Sequence, residues 1–263
     1  MLDTDRRLPW FTKVLVAVVG FYLVVPTLIV IPLSFTDRAS FAFPPKGWSL
    51  QYYRTFLTDP QWRDALFTSV KLGLAVMVLA TILGTAASVA LVRGRFPGKS
   101  FVNGLLLAPM IVPVIIIAVA VFGTFLRWQL VGTFTGFLLA HTVLALPFVV
   151  VTVSSALRTF DSRLELAAAS LGAPLLTRLR RVTLPLVLPG VLSGAVFAFV
   201  TSFDEVVVAL YVQSPEMRTL PVRMYTSVTS ETDPTIAAAS SLVLVVTTLL
   251  ILMPQLLRRR EAA

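Results

Sequence analysis

The chain has 263 residues, of which 57% are hydrophobic and only 13% charged, where ordinary soluble domains carry about 25% charged residues. With a mean hydropathy of +0.87 it reads as an all-α integral membrane protein whose length is consumed by spans, leaving no separate catalytic domain. It has no cysteine and one histidine, which excludes disulfides, thiolate metal sites and cysteine nucleophiles and argues against a histidine metal cluster; its formal net charge of +9 fits orientation of spans by positive charge rather than nucleic-acid binding.

A bilayer core about 30 Å thick takes roughly 20 apolar helical residues. Six segments meet that length: 13–33, 65–92, 102–126, 131–157, 187–212 and 235–256. Runs this long exceed barrel strands, and backbone groups in lipid must be satisfied internally, so the expectation is a six-helix bundle forming a single domain over 1–263. The first run follows Arg6, Arg7 and Lys13 as a signal peptide would, but it is too long for one and no A-x-A site follows; it is read as a retained span. Lys71, near the outer end of the second span, is placed to snorkel. Residues 34–64 carry Phe41, Phe43, Trp48, Tyr52, Tyr53 and Trp62, a set expected at the membrane–water boundary.

The stretch Gly94-Arg95-Phe96-Pro97-Gly98-Lys99-Ser100 imitates a phosphate-binding loop. It has three residues between its glycines instead of four and lies between two spans, so it is read as a turn. Pro113 and Pro147 are expected to kink the third and fourth spans. His141, with no acidic neighbour in its own helix, reads as a packed or hydrogen-bonded residue ahead of a proton relay. Six spans put both termini on one side. Fourteen of the 22 Lys and Arg fall on that side: 6, 7, 13, 93, 95, 99, 158, 163, 178, 180, 181 and 258–260. The excess predicts cytoplasmic termini and a cytoplasmic 158–186 loop.

That loop is basic, helix-forming and punctuated by proline, and suits docking to a cytosolic partner. Ser162 and Glu165 have the spacing of a capping box. Leu164, Ala167, Ala168 and Leu171 follow at helical spacing, Gly172 ends the helix, and Pro174 opens a second short helix over 174–181. The prediction is a helix–turn–helix lying across the cytosolic surface, with Arg178, Arg180 and Arg181 facing acidic partner groups or lipid headgroups.

In the fifth span, Asp204 lies 15 residues beyond Pro189, about 22 Å along a helix, past the midplane toward the outside. An intramembrane carboxylate faces a bundle interior or a wet pathway. On an unbroken helix Asp204 shares a stripe with Phe197, Thr201, Val208 and Tyr211, and Glu205 shares another with Ala198, Ser202 and Ala209. The first stripe suits a lined pathway and the second suits helix packing; an interhelical ion pair or hydrogen bond remains open for either carboxylate.

The loop resembles one of a known family. Permease subunits of binding-protein-dependent ABC importers carry E-A-A-x-x-x-G, a spacer, then L-P. Ala167, Ala168, Gly172 and Leu184-Pro185 fill those places here. The family's glutamate place is Leu166, with Glu165 one residue earlier. Ser202-Phe203-Asp204-Glu205, the FPPKGWSL run at 43–50, Thr219-Leu220-Pro221 and Asp233-Pro234-Thr235 are similar to permeases of the polyamine-type importers. The resemblance implies a type I ABC-importer permease bundle in a bacterial inner membrane. It implies coupling to two ATPase subunits through Glu165, Ala167, Ala168, Gly172, Ala173, Arg178 and Arg181, with ATP and Mg held by those subunits and no cofactor or metal in this chain. It further implies a second permease, expected to be a different chain, and an extracytoplasmic substrate-binding protein. A small amine-type solute would pass along Thr201, Ser202, Phe203, Asp204, Glu205 and Tyr211. The alternatives are an amino acid or other small organic solute, and an ion-driven secondary carrier. An intramembrane hydrolase would need a second aspartate on another span, and broken inverted repeats, which favour carriers, are not evident.

Overall fold

The computed structural model describes residues 9–231 and 233–261, the side chains of 26, 231 and 249–261 excepted; Arg6, Arg7 and the side chains of 258–260 lie outside what is described. Among the described residues every regular element is helical: α1 (Trp10–Leu33), α2 (Gln51–Thr58), α3 (Pro60–Arg93), α4 (Lys99–Ile111), α5 (Val114–Arg127), α6 (Phe134–Thr159), α7 (Arg163–Ser170), α8 (Leu175–Arg178), α9 (Leu184–Phe203), α10 (Val207–Val212), α11 (Leu220–Thr226) and α12 (Thr235–Glu261), with π-helical turns at Leu179–Thr183 and Ser227–Glu231. The packing of the chain divides into two units, one of them Asp64–Arg223, the other formed by the described residues up to Arg63 and from Met224.

Among the described residues, four helical segments are long and apolar enough to cross a bilayer, and the α4–α5 pair makes a fifth if its two arms count as one span. That pair corrects the expected third span. α4 and α5 meet at 105° because Pro113 has no N–H to donate and forces Val112 into extended backbone (φ −72°, ψ 131°). Pro147, by contrast, lies inside an unbroken α6. The expected sixth span falls on α12, whose side chains are described only in part.

In the Asp64–Arg223 unit α6 is the centre. Phe137, His141, Ala145, Val149, Val150 and Val153 on it are fully or almost fully buried, and α4, α9 and α10 pack against it. The α6–α9 approach is set by Gly190 and Gly194, one helical turn apart. A Cβ at Gly190 would lie 2.5 Å from Ala156 Cβ, and one at Gly194 would lie 2.6 Å from Thr152 Oγ1 and 3.2 Å from Val149 Cα. Small residues at this spacing let helices in lipid approach closely. Thr133 caps α6 through its Oγ1, which accepts from Gly136 N at 3.0 Å. Lys71 places its Nζ 4.9 Å from the Phe134 ring centre. The imitation phosphate loop is a turn: Gly98 takes a left-handed φ of +77° and Lys99 Nζ donates to the Gly94 carbonyl at 3.0 Å.

In the other unit, α12 packs against α1 and α2. Asp-Pro pairs stand at the starts of α3 and of α12 itself. Asp59 Oδ1 accepts from Gln61 N and Trp62 N at 2.9 and 3.2 Å, and Asp233 Oδ1 accepts from Thr235 N at 2.9 Å. Asp233 Oδ2 also takes the indole N–H of Trp62 at 3.3 Å. Trp62 is therefore buried against Phe56, and Tyr53 bonds Ser34 and Ser241. Only Phe41, Phe43 and Trp48 of the expected boundary aromatics are exposed as large apolar groups.

The glycine contact yields a prediction. Gly194→Ala lowers the stability of the α6–α9 pair by about 1–3 kcal/mol, read as a fall in the midpoint of thermal unfolding in detergent, and an unchanged midpoint would show that the helices have room to spare.

Candidate functional site

The first candidate region is the loop after α6. Asp161, not Ser162, caps α7, its Oδ1 accepting from Arg163 N at 2.9 Å. Ser162 has helical dihedrals and makes no capping hydrogen bond. The expected capping box is absent because Glu165 is drawn elsewhere. Its carboxylate lies 2.6 Å from the Arg93 guanidinium at the end of α3 and accepts from the Thr183 hydroxyl. A charge-assisted pair of this kind outcompetes a neutral backbone donor. Arg93 also lies over the Phe160 ring, 5.6 Å from its centre.

α7 ends as predicted. Gly172 N donates to Ala169 O at 2.9 Å and Ala173 N to Ala168 O at 3.1 Å, with Gly172 at φ +83°. This is the Schellman arrangement, for which glycine has the right conformational freedom. Ala167 and Gly172 are exposed, and Ala168 and Ala173 are half-buried. Leu164 is 47% and Leu171 88% exposed, so most of the apolar face of α7 is uncovered, and Leu166 beside it is exposed as well.

The second half of the loop departs from expectation. Pro174 precedes α8, but the helix does not stop at 181 or lie apart. It continues through the Leu179–Thr183 π turn into α9, giving one helical segment over Leu175–Phe203. No helix breaker separates 181 from 184, and the continuous segment carries Pro185 just after the π turn and Pro189 inside α9. Arg178 is half-buried and Arg181 exposed on this segment.

The second candidate region is where α9 stops. The stripes drawn on an unbroken fifth span do not exist, because helical structure is interrupted over 204–206. Asp204 sits at the C-cap of α9 and is exposed. Glu205 turns inward, its Oε1 accepting from Val208 N and its Oε2 from Ala209 N, each at 2.9 Å. Thr201 is half-buried and Ser202 buried. Phe203 stacks on Phe199 with ring centres 5.6 Å apart, and Tyr211 meets Phe122 edge-on at 6.1 Å. The two carboxylates are therefore divided in environment, one open and one internal.

The residue that sequence reasoning undervalued is His141. Its Nδ1 lies 3.0 Å from Ser202 Oγ and 3.2 Å from Ser202 O, and its Nε2 is 3.9 Å from Glu205 Oε2. The acidic neighbour missing from its own helix comes from the break after α9. One signal for it was available: a lone histidine and a lone glutamate in apolar spans each need a polar partner.

Residues 80–262 match the binding-protein-dependent transport system inner membrane component family. The chain belongs to that family. Over 222 residues it is 37% identical to the spermidine/putrescine transport system permease protein PotC of Haemophilus influenzae, covering 84% of this chain and 86% of that one. It is 32% identical to the putrescine transport system permease protein PotI of Escherichia coli, covering 88% and 84%. It is also 33% identical to the molybdenum transport system permease protein ModB of Mycobacterium bovis, covering 73% and 76%. A bacterial ABC transporter involved in the import of alginate shares the fold at a TM-score of 0.72 and 16% identity over 98% of both chains. The chain is thus an ABC-importer permease subunit, a component that is not itself catalytic.

Within this permease the Arg93–Glu165 pair ties α7 to α3. A double-mutant cycle with Arg93→Met and Glu165→Gln is expected to give a coupling of about 1 kcal/mol. Limited trypsin digestion after the exposed arginines of 163–181 reads it as faster cleavage in each single variant; additive effects would show that the pair contributes nothing.

Proposed function

We propose that this permease carries a small, polyamine-like amine across a bacterial inner membrane, driven by two separate ATPase subunits that hold ATP and Mg. A second, different permease chain completes the pathway, and an extracytoplasmic binding protein delivers the solute. Both termini and the α7–α8 loop face the cytoplasm, the side favoured by the positive charge.

The observation that carries this reading is the unbroken helical segment Leu175–Phe203. Its lower end is joined to α7, the exposed helix that resembles the family's ATPase-docking loop. Its upper end, about 44 Å away at 1.5 Å per residue, is the break beside the exposed Asp204. Closure of the ATPases pushes α7. The Arg93–Glu165–Thr183 contacts pass that push to α3 and to the base of the long segment. ATP drives the cycle only because its bound form favours one orientation of the spans over the other. The amine reading is supported by the open carboxylate of Asp204 and by similarity to spermidine/putrescine and putrescine permeases. A small solute other than an amine is the second reading, favoured by the comparable identity to a molybdenum transport system permease.

The first test is isolation of the chain from native membranes with whatever accompanies it. An ATPase, a second permease and a soluble binding protein are expected; full uptake by the chain alone would instead establish an ion-driven carrier. Gly172→Asp then probes the coupling. A side chain there meets open space but strains a left-handed backbone, so the protein is expected to remain in the membrane and lose coupled uptake, and normal uptake would refute the docking role of α7. Asp204→Asn probes the pathway. Uptake of radiolabelled putrescine is expected to lose affinity by roughly tenfold or more, the worth of a hydrogen bond to a charged group, and unchanged affinity would remove Asp204 from it.

A further inference from the structure

The gap between α9 and α10 is held by side chains standing in for backbone. In an unbroken helix the Ser202 carbonyl would accept from Val206 N, and Val208 N and Ala209 N would donate to the carbonyls of Asp204 and Glu205. Here Val208 N and Ala209 N donate instead to the two carboxylate oxygens of Glu205. The Ser202 carbonyl accepts instead from His141 Nδ1 at 3.2 Å. With its hydrogen on Nδ1 the imidazole donates to this carbonyl, and the same Nδ1 lies 3.0 Å from Ser202 Oγ, a hydroxyl that can accept or donate. The imidazole has no exposed surface. It lies against the Phe137 ring at 5.8 Å, and its Nε2 stands 3.9 Å from Glu205 Oε2, beyond hydrogen-bond range. One side chain on α6 therefore bonds the α9 end of the break and lies beside the glutamate within it, where freed backbone groups would otherwise lack partners in a bilayer.

We infer that His141 is a positioning residue, pinning the break between α9 and α10 through Ser202 and so fixing where Asp204 is presented. The pin itself follows from the hydrogen bonds; its consequence for transport rests on the proposed role of Asp204. Volume alone does not explain histidine at this site, since leucine would fill it. What histidine adds is a donor one bond beyond Cγ, aimed at a carbonyl. Asparagine carries a donor at the same reach, whereas the amide of glutamine lies one carbon further, near the place of Nε2. The pin thus predicts an unusual ranking in which asparagine works and both leucine and glutamine fail.

Hydrogen–deuterium exchange read by mass spectrometry, on the complex with its partners in nanodiscs, tests this without reference to the solute. In His141→Leu and His141→Gln, amide exchange over 202–212 is expected to rise about tenfold, the factor one buried hydrogen bond is worth, with α4 unchanged. His141→Asn is expected to exchange like the wild type. Wild-type exchange in all three variants overturns the pin. A rise spread across the whole unit in all three, asparagine included, also overturns it, because His141 would then be a packing residue only. Uptake of radiolabelled putrescine supplies the functional readout: KM rises in the leucine and glutamine variants with little change in maximal rate, and asparagine restores it. A wild-type complex that does not take up putrescine refutes the amine reading above and leaves the exchange ranking to judge the pin.

Discussion

The structure depends on one constraint, the requirement that every backbone polar group in lipid has a partner. It is why a chain this apolar becomes helices, and it makes each interruption of a helix a place where side chains must substitute. The kink at Pro113 and the gap at 204–206 solve the problem differently. At Pro113 the missing donor is intrinsic to proline. At 204–206 nothing in the covalent chain forces a break, and the substitute partners are Glu205 from within and His141 from α6. The one buried histidine and the inward glutamate are best understood as parts of the backbone's hydrogen-bonding scheme.

This gives the two adjacent carboxylates different physical roles. Glu205 is occupied by two N–H donors, while Asp204 at the helix end is left open. At the other end of the same helical segment, the polar contacts gather at its base. Glu165 there joins α7 to Arg93 and to Thr183 in the π turn. Between these two polar regions, closely packed glycines line the contact of the segment with α6.

Much of this was legible in the sequence. The apolar runs located the long helices, and Gly172 after a helical run correctly signalled a Schellman ending. The Ala167-Ala168 to Leu184-Pro185 spacing pointed to the family that the comparisons show. The errors have two origins. The separate helix over 174–181 failed locally, because no breaker divides 181 from 184; the capping box from Ser162 and the stripes through Asp204 were derived from local pattern and overridden by contacts distant in sequence. Glu165 is taken by Arg93, 72 residues earlier. Ser202 and Glu205 answer to His141, more than 60 residues earlier. Local periodicity cannot reveal such partners; it can only mark polar residues that need one.

If the proposed function holds, Leu175–Phe203 moves as one rod between α7 and the break beside Asp204. The chain has no cysteine, so paired spin labels can be placed without background at Leu176 and Val200, both exposed and about 36 Å apart along the helix. Their separation, measured by pulsed electron paramagnetic resonance in the complex, should stay constant between the nucleotide-free and ATP-bound states, while the distance from Val200 to the second permease changes. A separation that shifts within the rod on ATP binding, or no change at either distance, would contradict it.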